Sequence, residues 1–276
     1  EHFKPLYEFD FVFAVWFLPA FTQQKRREIL KALLGTLSLK TIFVATCICE
    51  FSYFFEHLRI LLGLYLVRDV EGFSNKISLL CDCFASHLEA LEFASRPIKD
   101  WVSDTILNPV CDQMSFSLET CIVEIESLGK NIEVLGMSPN MFANLSWYKD
   151  TQYSYAKVIK ESFKTKRHLL LCYSFKDSYR DEGLNKDLLQ DIICLKTLVK
   201  EFRDSSDNAI LPKAASLLRD IIQKHKDLGE FFTNALLECI YLLENPKFIE
   251  SQKIASLPNF SKAWGRGQQY ISFRVI

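Results

Sequence analysis

TIFVATCICEFSYFFEHLRILLGLYLV, residues 41 to 67, is the stretch on which the reading of the fold turns. It is long enough to span a bilayer. Glu50, Glu56, His57 and Arg59, however, interrupt it at the spacing of a helix with one wet face, so the expectation is a buried helix. A second apolar run, Phe9 to Phe21, is too short to cross a bilayer. It is broken by Asp10 and Pro19 and lacks a basic leader, which argues against a secretory signal. It too is expected to be a buried helix. Its aromatics, Phe9, Phe11, Phe13, Trp16, Phe17 and Phe21, are then core residues rather than the exposed kind that mark binding hot spots.

Outward from these runs, helical periodicity dominates. Gln23 to Leu34 and Glu50 to Val67 read as helices. Ile77, Leu80, Phe84, Leu88 and Leu91 form a stripe with Ser74 as its N-cap and Pro97 as its end. Leu118, Ile122, Ile125, Ile132 and Leu135 form another that runs through Gly129. Further helices follow over Tyr153 to Cys172, through Leu188, Ile192, Leu195, Val199 and Phe202, through Leu217, Leu218, Ile221 and Ile222 behind Pro212, and from Phe231 to Leu243 before Pro246. Polar breaks at Gly72 to Asn75, Ser138 to Ser146 and Arg203 to Asn208 have the length that joins antiparallel neighbours. Trp264-Gly-Arg-Gly reads as a loop, and Tyr270 to Ile276 alternates like a strand. The expected fold is all-α: elongated stacked helical bundles with a short extended segment at the C-terminal end. The expected divisions are an aromatic N-terminal segment over 1–22, a helical-bundle domain over 23–257, and a loop and extended segment over 258–276. A start at Glu1 without Met and an end in mid-pattern suggest a piece of a larger protein, with that last segment leading into a following domain.

Composition narrows the function. Among 276 residues, 33 basic and 34 acidic side chains leave a net charge of −1, which gives no electrostatic footprint for nucleic acid or an anionic membrane. Nine cysteines, mostly on apolar helix faces, suggest buried thiols in a reducing compartment. Cys47-Ile-Cys49 and Cys81-Asp-Cys83 superficially suggest a thiolate metal site. Residues two apart on a helix point roughly 200° apart, so neither pair closes on one ion. The histidines, His2, His57, His87, His168 and His225, have no ligand-like spacing and read as exposed or capping. No phosphate loop, nucleophile elbow or Glu-x-x-His pair occurs. Asp177, Asp181 and Glu182 read as a solvated helix end. The expectation is a protein with no catalytic residues, cofactor or metal, and therefore not an enzyme.

The order of motifs resembles the first Grip domain of the gamma-tubulin complex component family. QKRREILKALLGTLSLKTIF at 24–43 is similar to that domain's entry segment, and YFFEHLRILLGLYLVRDVEGF at 53–73 to its next helix. KDWV at 99–102 resembles a helix-closing motif. IVEIESLGKNIEVL at 122–135 resembles a Gly-Lys helix, with Gly129 and Lys130 at the matching letters. LLQDIICLKTLVKEF at 188–202 and FTNALLECI at 232–240 look like later bundle helices, and YISFRVI at 270–276 like the lead into the second Grip domain. Ser103 to Phe116 departs from the family pattern in lacking both Gly and Glu. The resemblance, closest to the larger accessory components, implies a structural subunit that assembles laterally with neighbouring gamma-tubulin complex components to template microtubule nucleation. Gamma-tubulin would be held through a following domain, and the expected location is the cytoplasm, the cytoskeleton and the microtubule-organising centre (centrosome or spindle pole body). The alternative is a helical tethering or adaptor scaffold of another cytosolic complex. Trp16, Trp101, Gly129 and Lys130 are the structural or interface candidates, with Trp101 expected to anchor a helix end in the core.

Overall fold

A computed structural model describes residues 9–92, 94–142 and 154–276, and for residues 112 and 113 the backbone only. Helices α1 (Gln23–Leu34), α2 (Phe54–Val67), α3 (Phe73–Glu89), α4 (Ile98–Trp101) and α5 (Leu118–Ser127) belong to the first half of the chain. They are followed by α6 (Tyr155–Lys166), α7 (Glu182–Ser205), α8 (Ile210–Lys224), α9 (Glu230–Glu244) and α10 (Ser251–Ala255). Strands β1 (Phe11–Ala14), β2 (Ile42–Ile48), β3 (Ile132–Ser138) and β4 (Gln268–Val275) form one mixed sheet in the order β1-β2-β4-β3. β1 runs parallel to β2, and β4 is antiparallel to both its neighbours.

The all-α expectation is therefore overturned. The chain is 63% helical with 11% strand, a mixed α/β fold. Three misread stretches account for the difference, each for a physical reason. Ile42–Ile48 is rich in β-branched residues and buried on both faces; a short continuous apolar run carries no period that separates strand from helix. The 41–67 run is thus a strand, a tight turn at Glu50–Tyr53 and then α2. The Leu118 to Leu135 stripe is broken at Gly129, which has φ +74° just past the end of α5. A glycine in that left-handed region stops a helix instead of being tolerated inside it, and the chain continues as β3. Phe9 to Phe21 contains β1 and a tight turn at Leu18–Ala20, not a buried helix.

Side chains at paired positions share a sheet face. On one face Ala14, Phe43, Ala45, Cys47, Ile271, Phe273 and Val134 are buried in the core, with α5 against β2 and β4. The opposite face carries Phe11, Phe13, Tyr270, Ser272, Arg274 and Glu133, all partly or largely exposed, on either side of Val44, Thr46 and Ile48 of β2, which are buried. The expectation that the aromatic run is core thus fails for Phe9, Phe11, Phe13, Trp16 and Phe21, all exposed; Phe17 is half-buried.

Elsewhere the periodic segments fold as read. α7, α8 and α9 pack in sequence, with Leu188, Ile192, Leu195, Val199 and Phe202 buried along α7. Asp181 caps α7 by accepting from the Leu184 N–H at 3.0 Å, and Ser117 caps α5 through the Thr120 N–H at 3.0 Å. Phe73 begins α3, so Ser74 lies within the helix; α3 ends at Glu89, well before Pro97. The start of the expected Tyr153 helix lies outside the described residues; α6 runs to Lys166 and gives way to a tight turn at Arg167–Leu170.

α2 is the most enclosed helix. Twelve of its fourteen residues are buried, Glu56, His57 and Arg59 among them, so the wet face expected from those three does not exist. Gly63 lets it approach its neighbours: a Cβ there would stand 2.8 Å from Ile106 and 3.1 Å from Leu80. Trp101, at the end of α4, is 6% exposed and packs edge-on against Phe84 at 5.8 Å and Trp264 at 5.5 Å. Trp101→Ala should cost about 3–5 kcal/mol. Urea unfolding of the two proteins measures it, and a loss below about 1 kcal/mol would show that the indole does not hold the helix end.

Candidate functional site

The chemistry of the molecule gathers where α2, α3 and α4 meet the segment from Phe260 to Gln268. Arg59, fully buried on α2, lays its guanidinium 3.7 Å from the centre of the Trp264 ring and 4.8 Å from that of Phe260. Its Nη2 donates to the Phe260 carbonyl at 3.0 Å, and its Nε donates to Nδ1 of His87 at 3.3 Å. Because Nδ1 accepts, the His87 proton sits on Nε2, which donates to the Ile254 carbonyl at 2.9 Å. Burial first, and then the Arg59 charge, hold His87 down to about 3, so it is neutral at physiological pH. Trp264 donates through Nε1 to the carbonyls of His87 and Ser261. Gly265 follows: a Cβ there would fall 2.0 Å from the Ser52 carbonyl oxygen, so only glycine lets the loop pass the turn before α2.

This cluster backs a cleft of about 720 Å³. Tyr53, Glu56, Trp101 and Thr105 line it from the α2 and α4 side, Trp264 to Gln268 from the C-terminal side, and Trp16, Glu92 and Arg96 also border it. Its two arginines are already engaged. Arg266 donates to the carbonyls of Leu169, Tyr173 and Phe175, and Arg96 pairs with Asp104 while lying over the Trp16 ring at 5.7 Å. Trp16 itself holds a left-handed backbone, φ 71°. Glu56 is different. It is 5% exposed, and its buried Oε2 has no hydrogen-bond partner among the described residues. Burial pushes its carboxyl up to about 7, against the opposing pull of Arg59.

Of the four candidates named from sequence, the fold brings Trp16 and Trp101 to this one cleft. Gly129 and Lys130 lie apart in the turn between α5 and β3, where Gly129 faces open space. Sequence reasoning missed Glu56, Arg59, His87 and Trp264. The one available signal was three ionisable residues inside an apolar run, which was read as solvent exposure. The expectation of exposed or capping histidines holds only in its capping part, for His225 at the C-cap of α8; His57, His87, His168 and His225 are all buried, and His2 lies outside the described residues. His57 is held down to about 3 by burial and then by Lys196.

Two other polar clusters are structural in form. Arg180 grips Asp227 through Nε at 2.6 Å and also meets Asn185 and Nδ1 of His225, whose Nε2 reaches Asp191 at 3.3 Å. Nearby, Nε2 of His168 lies 3.2 Å from the Ser178 hydroxyl, but its Nδ1 has no partner among the described residues. A serine nucleophile needs the far ring nitrogen oriented by a third group, so this pair is not a triad. His168 is held down to about 4, by burial first and the Arg180 charge second. Asp177, expected on a solvated face, pairs at 2.8 Å with the buried Lys166. Arg26 and Glu124 form a buried ion pair at 2.7 Å that ties α1 to α5. Seven of the nine thiols are buried; Cys81 is half-buried and Cys194 exposed. Among the described residues no cluster of three or more His, Cys, Asp or Glu is placed to hold a metal, and no helix is long and apolar enough to cross a membrane.

Comparison with protein-family models, with curated proteins and with solved structures found no match in any of the three.

Glu56 dictates a pH dependence. Its folded value, about 7, lies above the ordinary 4.5, so the folded chain holds this proton more tightly than the unfolded one. Below about pH 4.5 both states carry the proton and no charge is buried. Stability then falls as pH rises, and above 7 the whole difference, about 3 kcal/mol, is lost. Glu56→Gln, uncharged at every pH, should match the parent near pH 4.5 and exceed it by roughly that amount at pH 8. Urea unfolding at both pH values checks this; a difference that does not change with pH would remove the buried carboxylate from the account.

Proposed function

We propose that the chain is a non-enzymatic scaffold module that holds a neighbouring polypeptide within a larger assembly. One observation carries this reading. Phe9, Phe11 and Phe13 fall at the period of a strand and are 40%, 44% and 62% exposed, the last two at the β1 edge of the sheet face opposite Phe43 and Ala45. A solvent-facing strand normally places polar residues there. β1 is also the first strand in the sheet order, hydrogen-bonded to β2 on one side, with no strand beyond it among the described residues. An outer strand offers backbone donors and acceptors, and a row of phenyl rings beside it offers apolar area to bury. The partner these features fit is an extended, apolar segment of another protein, added along β1.

The narrower reading is a subunit of the gamma-tubulin complex, assembling laterally with related components at a microtubule-organising centre, with gamma-tubulin held by a further domain. Its support is the ordered motifs from Gln24 to Ile276. Against it stands the sheet: the resemblance implied helical bundles, and the IEVL end of the Gly-Lys motif and the TIF end of the entry segment are strand. The alternative, a helical tethering or adaptor scaffold of another complex, meets the same conflict, since it too implied a helical chain.

A photoreactive benzoyl-phenylalanine in place of Phe13 should cross-link to a partner polypeptide in the native assembly, whereas the same probe at the exposed Val123 of α5 should not. Phe11→Ser with Phe13→Ser should abolish co-migration with that partner while leaving the unfolding midpoint within a few degrees of the parent. Cross-linked peptides from gamma-tubulin complex components would favour the narrower reading. Equal labelling from both positions, or co-migration unaffected by the double substitution, would refute the docking edge.

A further inference from the structure

We infer that the cleft beside α2 is a binding site for a small organic cation, an ammonium group carried on an aromatic or otherwise apolar body, with Glu56 as its counter-ion. The inference stands apart from the docking edge, since a ligand site and a protein-binding strand can each exist without the other.

Three observations converge on it. First, Glu56 is a buried acid with one oxygen unmet: its Oε2 has no hydrogen-bond partner among the described residues, while the exposed twentieth of the residue lies in the cleft wall. A buried carboxylate without a hydrogen-bond donor is held at a cost, and a ligand that supplies the donor recovers it. Second, the cations of the same wall are already occupied. Arg266 spends Nε and Nη2 on three backbone carbonyls, and Arg96 is paired with Asp104. Arg59, nearest to Glu56 in sequence, does not line the cleft: it is turned onto the Trp264 and Phe260 rings and the Phe260 carbonyl, and although its charge pulls on Glu56, its buried Nη1 is without a hydrogen-bond partner among the described residues. The unmet demand in the cleft is therefore for a positive donor rather than for an anion. Third, Tyr53 and Trp101 lie in the same wall, and aromatic faces attract an ammonium group and pack its apolar stem. A volume of about 720 Å³ holds a molecule of that size with room for a larger body.

The bland alternative is a core acid kept permanently protonated. A core acid would be packed on all sides or bonded to a neighbouring acceptor, whereas Glu56 borders open volume.

The probe is phenethylammonium, set against phenylacetate, which reverses the charge, and phenethyl alcohol, which removes it. Isothermal titration of the full chain at pH 7.5 should show saturable one-to-one binding of the ammonium ion, at least tenfold weaker binding of the alcohol, and none of phenylacetate. Glu56→Gln should weaken the ammonium ion at least tenfold and leave the alcohol unchanged. Should that variant not fold, the wild-type protein supplies a second readout at pH 6.5. Titration there in two buffers of different ionisation heat should show release of a substantial fraction of a proton per ammonium ion bound, as the carboxyl ionises against its partner. The other ionisable groups bordering the cleft are Tyr53, Glu92, Arg96, Tyr173 and Arg266, with Arg59 against the Trp264 ring and His87 neutral beside it. Failure of the ammonium ion to bind, tighter binding of phenylacetate, equal affinity in Glu56→Gln, or binding without proton release would each overturn the proposal. None of these results would touch the docking edge, which is read by cross-linking.

Discussion

The guanidinium of Arg59 is the hinge on which the architecture turns. It belongs to the most enclosed helix and has no carboxylate partner among its hydrogen bonds. Its charge is met instead by two aromatic faces, the Phe260 carbonyl, a neutral histidine and the pull of Glu56, while its Nη1 has no hydrogen-bond partner among the described residues. Burial lowers Arg59 itself to about 10, still far above neutrality, so the charge is permanent and must be accommodated. The two rings and the carbonyl that accommodate it lie in the segment just before β4. Holding that segment against α2 and α3 aims β4 at the gap between β2 and β3, where it pairs Phe273 with both Phe43 and Val134. Without β4 the sheet has no connection between its two halves.

Three other buried charges follow a different rule. Arg26 with Glu124, Arg180 with Asp227 and Lys166 with Asp177 are each paired within hydrogen-bonding distance, and each joins elements that are distant along the chain or at the end of a helix. Such pairs gain little net stability over apolar contacts of the same size, but each fixes one arrangement, because removing one partner leaves a buried charge. Glu56 is the departure from that rule. An acid in the wall of an open cleft, with its Oε2 unpartnered among the described residues and a proton held up to about pH 7, is a local inconsistency, and of the buried polar groups left unmet, Thr46, Arg59 and Arg167 among them, it is the one that lines this cleft. Inconsistencies of this kind gather where a protein meets something else.

The outer surface shows a second inconsistency of the same sort. The face of the sheet opposite the core is polar at Ser272, Arg274 and Glu133, yet phenyl at the β1 edge. The Arg274–Glu133 pair spans adjacent strands on that face, an ordinary solvent-exposed cross-strand contact. Among the described residues the phenylalanines have no comparable ring partner beyond each other, with Phe11 and Phe13 in ring contact at 4.4 Å. A fold that can place charges on one side of this face has no need of exposed rings on the other for its own stability.

Local signals alone settled a large part of the chain. α7, α8 and α9, the Pro246 stop, the loop from Trp264 to Gly267 and the strand that follows were all legible, because a helical period, a cap or a turn residue is written within a few positions of the element it defines. So was the enclosure of Trp101. Only the tertiary structure decided that Ile42–Ile48 is a strand, since its hydrogen-bond partners lie at Gln268–Phe273 and at β1, and a run apolar at every position has no period to reveal them. It also decided that Glu56, His57 and Arg59 face inward. A charged residue within an apolar run is written the same way whether it meets water or an aromatic ring brought in from two hundred residues away, and that partner exists only once the chain has folded.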